Sequence, residues 1–265
     1  MGGYAAVVLA GGTARRMGGT DKPARPVAGR PMRDRVLDAV PDADPRILVG
    51  PPVRPCDRTT AGPDQPSAGS DQQSVGGSTD ALAGVLVTRE EPPGGGPVAA
   101  LAAGLALLPA TSTVVALLAA DLPLLTRDAV GLLLHRLAGP DPTAGRDVGL
   151  NPTAGLNPTV GLDSAVGRDA GAYPVDAGVG DVDGVCFVDG DGRRQTLCGV
   201  WRVEPLRAAL GRLAHSRGGT LAGAPLRAVV AGLAVVEVPW SGQGPPPWFD
   251  CDTDEDVRRA EEWAR

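Results

Sequence analysis

A short apolar run, YAAVVL at Tyr4–Leu9, leads directly into a glycine-rich segment near the start of the 265-residue chain. A run of this length that ends at glycines is typical of a strand buried on both faces in a parallel sheet. Further strands are expected at Arg46–Val49, Gly84–Thr88 and Thr113–Ala119, with helical patterns between them. Because strands that alternate with helices imply right-handed crossovers, the chain is predicted to form an α/β fold. That fold is a doubly wound, mostly parallel sheet with helices on both faces.

The remaining helices and strands are predicted from the same helical and strand patterns in the sequence. Helices are expected at Pro31–Val40, Pro97–Leu108, Thr126 to about Leu137, Pro205–His215 and Val257–Arg265, and later strands at Val185–Val188, Gln195–Trp201 and Ala234–Val238. Thr126 and Thr253 are expected N-caps, because a threonine hydroxyl can accept a hydrogen bond from a free N–H of the first helical turn. The DGDG run at Asp189–Gly192 lacks the later ligands of a calcium loop and is predicted to be a β-turn.

Two segments of low complexity interrupt the pattern, at about residues 59–83 and 139–184. They contain 14 of the chain's 38 glycines and 7 of its 26 prolines. In the second segment Gly149, Gly155, Gly161 and Gly167 are spaced six residues apart. A hexapeptide β-helix with so few rungs would not bury a core, so both segments are predicted to be flexible loop inserts. Residues 1–265 are therefore expected to form a single domain.

Charge and composition narrow the choice of partners and compartment. The formal net charge of −6 argues against binding to nucleic acid, which requires clustered Lys and Arg. No stretch reaches the roughly 20 apolar residues of a membrane span, and the first residues lack the pattern of a signal peptide. The four cysteines are scattered, as is usual for reduced thiols. We expect a cytoplasmic protein that contacts neither membrane nor nucleic acid.

The glycine-rich segment after the first strand has the composition of a phosphate-binding loop. Glycines at positions 11 and 12 let backbone N–H groups approach an anion closely. Arg16 and Lys22 add positive charge, and Lys22 is the only lysine in the chain. No Gly-Lys-Ser/Thr follows, so the loop is not a Walker A motif. A turn with a solvated basic face is the alternative, but the combination favours a triphosphate site.

The same residues carry a resemblance to a known family. LAGG, two residues, RRMGG, one residue and DK, at residues 9–22, resemble the signature of the molybdenum cofactor guanylyltransferases, the MobA family. The stretch is similar more broadly to nucleotidyltransferases that join an NTP to a phosphorylated acceptor. The resemblance implies a Rossmann-like fold, Mg²⁺ as cofactor, and GMP transfer from GTP to the phosphate of molybdenum-molybdopterin. The implied nucleotide-binding residues are Leu9, Ala10, Gly11, Gly12, Lys22 and Asp121.

Carboxylates at two places are candidate metal ligands. Asp121 follows the strand Thr113–Ala119, at the edge where open α/β sheets bind ligands, and its hard oxygen atoms suit Mg²⁺. It also matches the family's metal-binding Asp. Asp250 and Asp252 match a later acidic element of the family, and the sequence leaves open which of them binds the metal. On a strand, both would point to one face. The expected catalytic residues are Arg16, Lys22 and Asp121.

The segment around residues 90–101 allows two interpretations. GPVAAL at residues 96–101 resembles a family element at the start of a helix. Residues 94–99 also satisfy G-x-G-x-x-A, as in a dinucleotide-binding fingerprint. That alternative is disfavoured because Arg89–Pro93 separates the glycines from the strand, and because the carboxylates of Glu90 and Glu91 would repel a pyrophosphate.

The sequence leaves open which nucleotide base and which phosphorylated acceptor the protein would use. The family often has Asn or Asp after the second and third strands, where this chain has residues 49–52 and Arg89-Glu90. An enzyme acting on a sugar phosphate or another small phosphorylated acceptor is one alternative. A non-catalytic nucleotide-binding partner protein is another. The oligomeric state and the role of the second insert also stay open.

Overall fold

The computed structural model describes residues 3–11, 22–51, 82–139, 182–242 and 244–265. Arg16, Gly12 and nearly all of the two predicted inserts lie outside these residues. The predictions for them therefore stay predictions.

The described strands form one large sheet and one small one. The strands are β1 (Ala5–Leu9), β2 (Pro26–Val27), β3 (Arg30–Pro31), β4 (Arg46–Val49), β5 (Val85–Thr88), β6 (Val114–Ala119), β7 (Gly184–Val188), β8 (Arg194–Arg202) and β9 (Val235–Pro239). The large sheet has seven strands in the order β5-β4-β1-β6-β8-β7-β9. Within it β8 runs against its neighbours β6 and β7, and the other pairings are parallel. The predicted mostly parallel sheet is confirmed.

Six α-helices connect or follow these strands within the described residues. They are α1 (Met32–Asp38), α2 (Pro97–Ala106), α3 (Arg127–Ala138), α4 (Val203–Ser216), α5 (Leu226–Val230) and α6 (Asp254–Trp263). Both predicted caps are confirmed. Thr126 accepts a hydrogen bond from the Ala129 N–H at 3.2 Å, and Thr253 forms a reciprocal capping box with Asp256. These caps satisfy N–H groups that a helix start leaves without a partner.

Side chains of the parallel strands alternate between two buried layers, as the strand periodicity requires. On β1, Ala6 and Val8 pack in the layer that holds α1 and α3. Ala5, Val7 and Leu9 pack in the opposite layer, against α2, α4 and α5. Every residue of β1 is buried. The doubly wound arrangement with helices on both faces is therefore confirmed, and the uniformly apolar composition of β1 follows from it.

Several details differ from the sequence predictions. The hairpin β2–β3, which turns at Ala28 and Gly29 with φ of 49° and 76°, was not predicted, because strands of two residues leave no periodic signal. Helix α5 was also missed, since five residues are too few to show one. The predicted β-turn at Asp189–Gly192 is confirmed. There the Asp189 side chain accepts hydrogen bonds from the N–H groups of Asp191 and Arg193.

The carboxyl ends of the parallel strands meet at one edge of the sheet. The Ala10 N–H donates to Val49 at 2.7 Å, the Ala120 N–H donates to Leu9 at 2.9 Å, and the Gly50 N–H donates to Thr88 at 2.9 Å. The chain order reverses between the neighbours of β1, because β4 lies on one side and β6 on the other. Such a switch point opens a crevice at the carboxyl edge, which is where this class of sheet binds ligands.

None of the helices in the described part of the chain combines the length and apolar character needed to cross a membrane.

Candidate functional site

Lys22 lies at the centre of the carboxyl edge. It begins a short 3₁₀ turn, Lys22–Ala24, and its side chain is 18% exposed. The Lys22 Nζ donates to Asp121 Oδ2 at 2.5 Å and to Asp252 Oδ1 at 2.7 Å. The lysine that sequence analysis assigned to a phosphate is therefore held between two carboxylates assigned to a metal.

Asp121 and Asp252 come from distant parts of the chain, and the backbone holds them together. Asp121 follows β6 after one residue, and its carbonyl accepts a hydrogen bond from the Cys251 N–H at 3.3 Å. The Cys251 side chain is fully buried in a small cluster with Val27 and Met32. Burial of this thiol anchors the acidic segment, so the side chain of the next residue, Asp252, is directed to the site.

A second ion pair continues the contact between the same two segments. Arg25, just after the turn that starts at Lys22, pairs with Asp254 at the start of α6. Asp254 is 77% exposed, and an exposed pair of this kind contributes little to stability, about 0–1 kcal/mol. Its effect is positional, because it holds the segment after the glycine-rich loop against the start of α6.

The electrostatics of the site favour a charged Lys22. Burial lowers the pKa of Lys22, but hydrogen bonds to Asp121 and Asp252 and the charges of both carboxylates outweigh burial and leave the pKa raised. Lys22 is therefore an ammonium at neutral pH. The pKa of Asp250 is raised because its carboxyl is partly removed from water and because Asp252 and Asp121 add negative charge nearby.

The donor set around Lys22 fits a divalent ion. Two carboxylate oxygens approach one cationic atom at 2.5 and 2.7 Å, so the ammonium marks a point where oxygen ligands already converge. Carboxylate oxygens are the ligands that Mg²⁺ prefers. The described residues contain no group of three or more His, Cys, Asp or Glu arranged to hold a metal. Asp121 and Asp252 are thus the pair that the structure brings together, and Asp250 stays outside that pair.

The described part of the glycine-rich loop lies beside this pair. Leu9, Ala10 and Gly11 continue from β1 along the carboxyl edge. A Cβ atom on Gly50 would lie 3.0 Å from the Ala10 Cβ, and one on Gly11 would lie 3.5 Å from Glu90 Oε1. The glycines thus allow a close approach of three strand ends.

Glu90 is a candidate site residue that sequence analysis did not select. It is 7% exposed, and its Oε1 accepts a hydrogen bond from the Gly94 N–H at 2.9 Å. Its Oε2 is buried and has no hydrogen-bond partner in the described part of the chain. A buried carboxylate oxygen without a partner is costly unless a ligand supplies donors. The available signal was its place just after β5, where the resembled family has Asn or Asp.

The same contact argues against the dinucleotide interpretation. In a dinucleotide fold, the N–H groups of the glycine loop and helix start would face a pyrophosphate. Here the Gly94 N–H is already bonded to Glu90, and the Gly95 N–H donates to Pro92 at 2.9 Å. A carboxylate therefore occupies the position of the expected anion.

Comparison with known proteins identifies the family of the chain. The family model of the MobA-like NTP transferase domain matches residues 6–229. A molybdenum cofactor guanylyltransferase of Rhodopseudomonas palustris (strain BisB5) is 57% identical over 44 residues, which are 16% of this chain and 21% of that protein. The chain thus matches about a fifth of the length of this curated relative.

Solved structures share the fold at low identity. The 4-diphosphocytidyl-2C-methyl-D-erythritol synthase of Anaerococcus prevotii DSM 20548 aligns with a TM-score of 0.56 and 12% identity, over 99% of this chain and 98% of that one. The 2-C-methyl-D-erythritol 4-phosphate cytidylyltransferase of Thermus thermophilus aligns with a TM-score of 0.52 and 17% identity, over 99% and 98%. The family model covers most of the chain and the fold agrees with it, so the chain belongs to the MobA-like NTP transferase domain family and, with it, to the nucleotidyltransferases.

Proposed function

We propose that this chain is a Mg²⁺-dependent guanylyltransferase that transfers GMP from GTP to the phosphate of molybdenum-molybdopterin. The observation that carries the proposal is the Lys22 ammonium between Asp121 and Asp252, at the carboxyl edge where the glycine-rich loop begins. One site thus contains a cation for a polyphosphate and two carboxylates for a divalent ion.

The charge of each site residue determines whether it would bind phosphate or the metal ion. Lys22 and Arg16 would bind the α-phosphate and the leaving pyrophosphate, and the N–H groups of Gly11 and Gly12 would hold phosphate oxygens. Asp121 and Asp252 would hold Mg²⁺, which when bound neutralises charge on the triphosphate. No nucleophilic side chain is required, because an oxygen of the acceptor phosphate attacks the α-phosphorus while the bond to pyrophosphate breaks. Positioning and charge compensation supply the rate.

Glu90 supports guanine as the base. The Watson–Crick edge of guanine presents two neighbouring donors, N1–H and the 2-amino group. A carboxylate has acceptors for both. Glu90 has one buried oxygen without a partner in the described residues, and guanine would satisfy it. Adenine and the pyrimidines do not present that pair of donors, so Glu90 would discriminate against them.

The acceptor is proposed from the family and from the short match to a molybdenum cofactor guanylyltransferase. The direct test is a pyrophosphate-release assay with each of the four NTPs, in the presence and absence of molybdenum cofactor, with Mg²⁺ supplied. We expect release with GTP plus molybdenum cofactor, and only background release with the other NTPs or without acceptor.

Two further arms separate the alternatives. A panel of sugar phosphates with all four NTPs tests the other class of acceptor, and turnover there with none on molybdenum cofactor would replace the proposed acceptor. Equilibrium binding of Mg·GTP, measured in parallel, tests the non-catalytic alternative. Tight binding without pyrophosphate release on any acceptor would show a nucleotide-binding protein instead of an enzyme.

A further inference from the structure

We infer that Lys22 acts as an internal counter-ion that blocks the metal site until a nucleotide arrives, so that Mg²⁺ and NTP bind as a coupled pair. The inference rests on the proposed function, since it takes Asp121 and Asp252 as the metal ligands. Neither the fold nor the family membership implies this coupling between the binding of Mg²⁺ and of NTP.

The geometry excludes simultaneous occupancy. Lys22 Nζ lies 2.5 Å from Asp121 Oδ2 and 2.7 Å from Asp252 Oδ1. Mg²⁺ requires carboxylate oxygens at about 2.0–2.1 Å, so an ion bound to Asp121 Oδ2 and Asp252 Oδ1 would take the space that the ammonium fills. The ion and the ammonium would also repel each other. Mg²⁺ therefore has to displace Lys22 before it can bind these two oxygens.

Displacement is unfavourable when no nucleotide is present. Lys22 is only 18% exposed, as is consistent with its place between the two segments, and Asp121 is 23% exposed. An ammonium that leaves this position loses two charge-assisted hydrogen bonds and must find new partners or water. Metal binding to the free protein would bear that cost, and the affinity for the metal alone is reduced accordingly.

A triphosphate removes the obstacle. Its oxygens offer Lys22 new charge-assisted hydrogen bonds, and the departing ammonium leaves Asp121 and Asp252 free for the metal. Each ligand therefore favours the other by the same factor, as linkage requires. In the free protein, the positive charge of Lys22 also compensates the negative charge of the carboxylates at this site.

The test measures metal binding to the free protein, with Mn²⁺ as the probe and no nucleotide. Mn²⁺ binding is followed by electron paramagnetic resonance, which detects the free ion, for the wild type and Lys22→Met. We expect Lys22→Met to bind Mn²⁺ about 5- to 150-fold more tightly than the wild type, the usual range for coupled ligands. A lysine that only contacts phosphate predicts no change, and unchanged or weaker binding would overturn the inference.

Arg25→Met is the matched control. It removes the same charge one turn further along, from a residue that pairs with Asp254 instead of Asp121. A general loss of positive charge would tighten Mn²⁺ binding equally in both variants, and that result would also overturn the inference. The double variant Lys22→Met/Asp121→Asn should lose the gained affinity. A gain that persists there would place the ion elsewhere and overturn the inference as well.

A second variant and a second measurement test the same inference in case Lys22→Met folds poorly. Lys22→Gln keeps a polar donor between the carboxylates but carries no charge, and Mn²⁺ should raise its Tm more than that of the wild type. Equal Tm shifts would contradict the inference. Neither measurement uses turnover, so the proposed guanylyl transfer can fail while the Mn²⁺ result stands, and the reverse also holds.

Discussion

Glu90→Gln gives a sharp test of how the site would select its base. The substitution keeps the shape of the side chain, and the amide oxygen can still accept from the Gly94 N–H, the 2.9 Å contact of the native residue. It replaces the buried oxygen, which has no partner among the described residues, with an NH₂ donor that would face the donors of guanine. Hydrogen bonds to charged groups contribute about 1.5–3 kcal/mol each. We therefore expect kcat/KM for GTP to fall by roughly 10- to 150-fold, at about 1.4 kcal/mol per tenfold change.

The nucleotide panel makes the assay specific. ITP lacks the 2-amino group, so the wild type should prefer GTP over ITP and Glu90→Gln should lose that preference. XTP carries an oxygen in place of the amino group. The variant should use XTP better than the wild type, because a Gln amide can donate to that oxygen. Pyrophosphate release measures the turnover of GTP, ITP and XTP by both the wild type and the variant.

A stability measurement separates base selection from a structural role. Removing a buried charge without a full set of partners should leave the Tm unchanged or higher. Glu91→Gln is the control, since Glu91 is exposed and loses the same charge. A Glu90→Gln enzyme that kept the full preference for GTP over ITP would refute the reasoning. So would an equal loss of activity on every NTP together with a lower Tm.

Three further results are expected. Asp121→Asn should lower kcat about 100- to 1,000-fold, as the loss of one electrostatic contact to a transition state does, with an unchanged circular dichroism spectrum; near-native turnover would remove Asp121 from the site. Gly184→Ala should lower stability by about 1–3 kcal/mol through overpacking, because its Cβ would lie 2.2 Å from a ring atom of Trp201; an unchanged midpoint in urea would contradict this. Asp250 has a raised pKa in the fold, so the stability it contributes when protonated is lost as pH rises through that pKa. Asp250→Asn should therefore exceed the wild type in unfolding free energy at pH 7 and match it near pH 3; the same advantage at both pH values would be inconsistent with that sign.

Local signals predicted the parts of the fold that local interactions determine. The apolar composition of β1 reflects burial on both faces, so its assignment needed no tertiary information. Thr126 and Thr253 were identifiable as caps because a cap is a contact within one helical turn. Asp121 was identifiable because a polar residue that ends a buried strand lies at the carboxyl edge of the sheet.

Local sequence signals could not predict contacts between residues that are far apart in the chain. Lys22 and Asp252 are 230 positions apart, and their contact depends on the hydrogen bond between the backbones of Cys251 and Asp121. The sequence expected Asp250 and Asp252 to share one face if their segment were a strand. The segment is not a strand, so that rule does not apply, and of the two it is Asp252 that contacts Lys22.

Burial of Glu90 was hidden for a related reason. A glutamate is almost never fully buried without a partner, and the sequence analysis treated Glu90 only as a charge that would repel a pyrophosphate. Its burial follows from the turn that precedes α2, where its oxygen accepts from Gly94, and from the close approach of Gly11. Both contacts come from other strand ends or turns.

The most direct measurement is a crystal structure of the protein with Mg²⁺ and a non-reactive GTP analogue. We expect the triphosphate along Gly11 with Lys22 Nζ bonded to phosphate, Mg²⁺ on Asp121 and Asp252, and the guanine edge on Glu90. A triphosphate bound elsewhere, or Lys22 still paired with both carboxylates beside a bound nucleotide, would contradict the proposed function of the site.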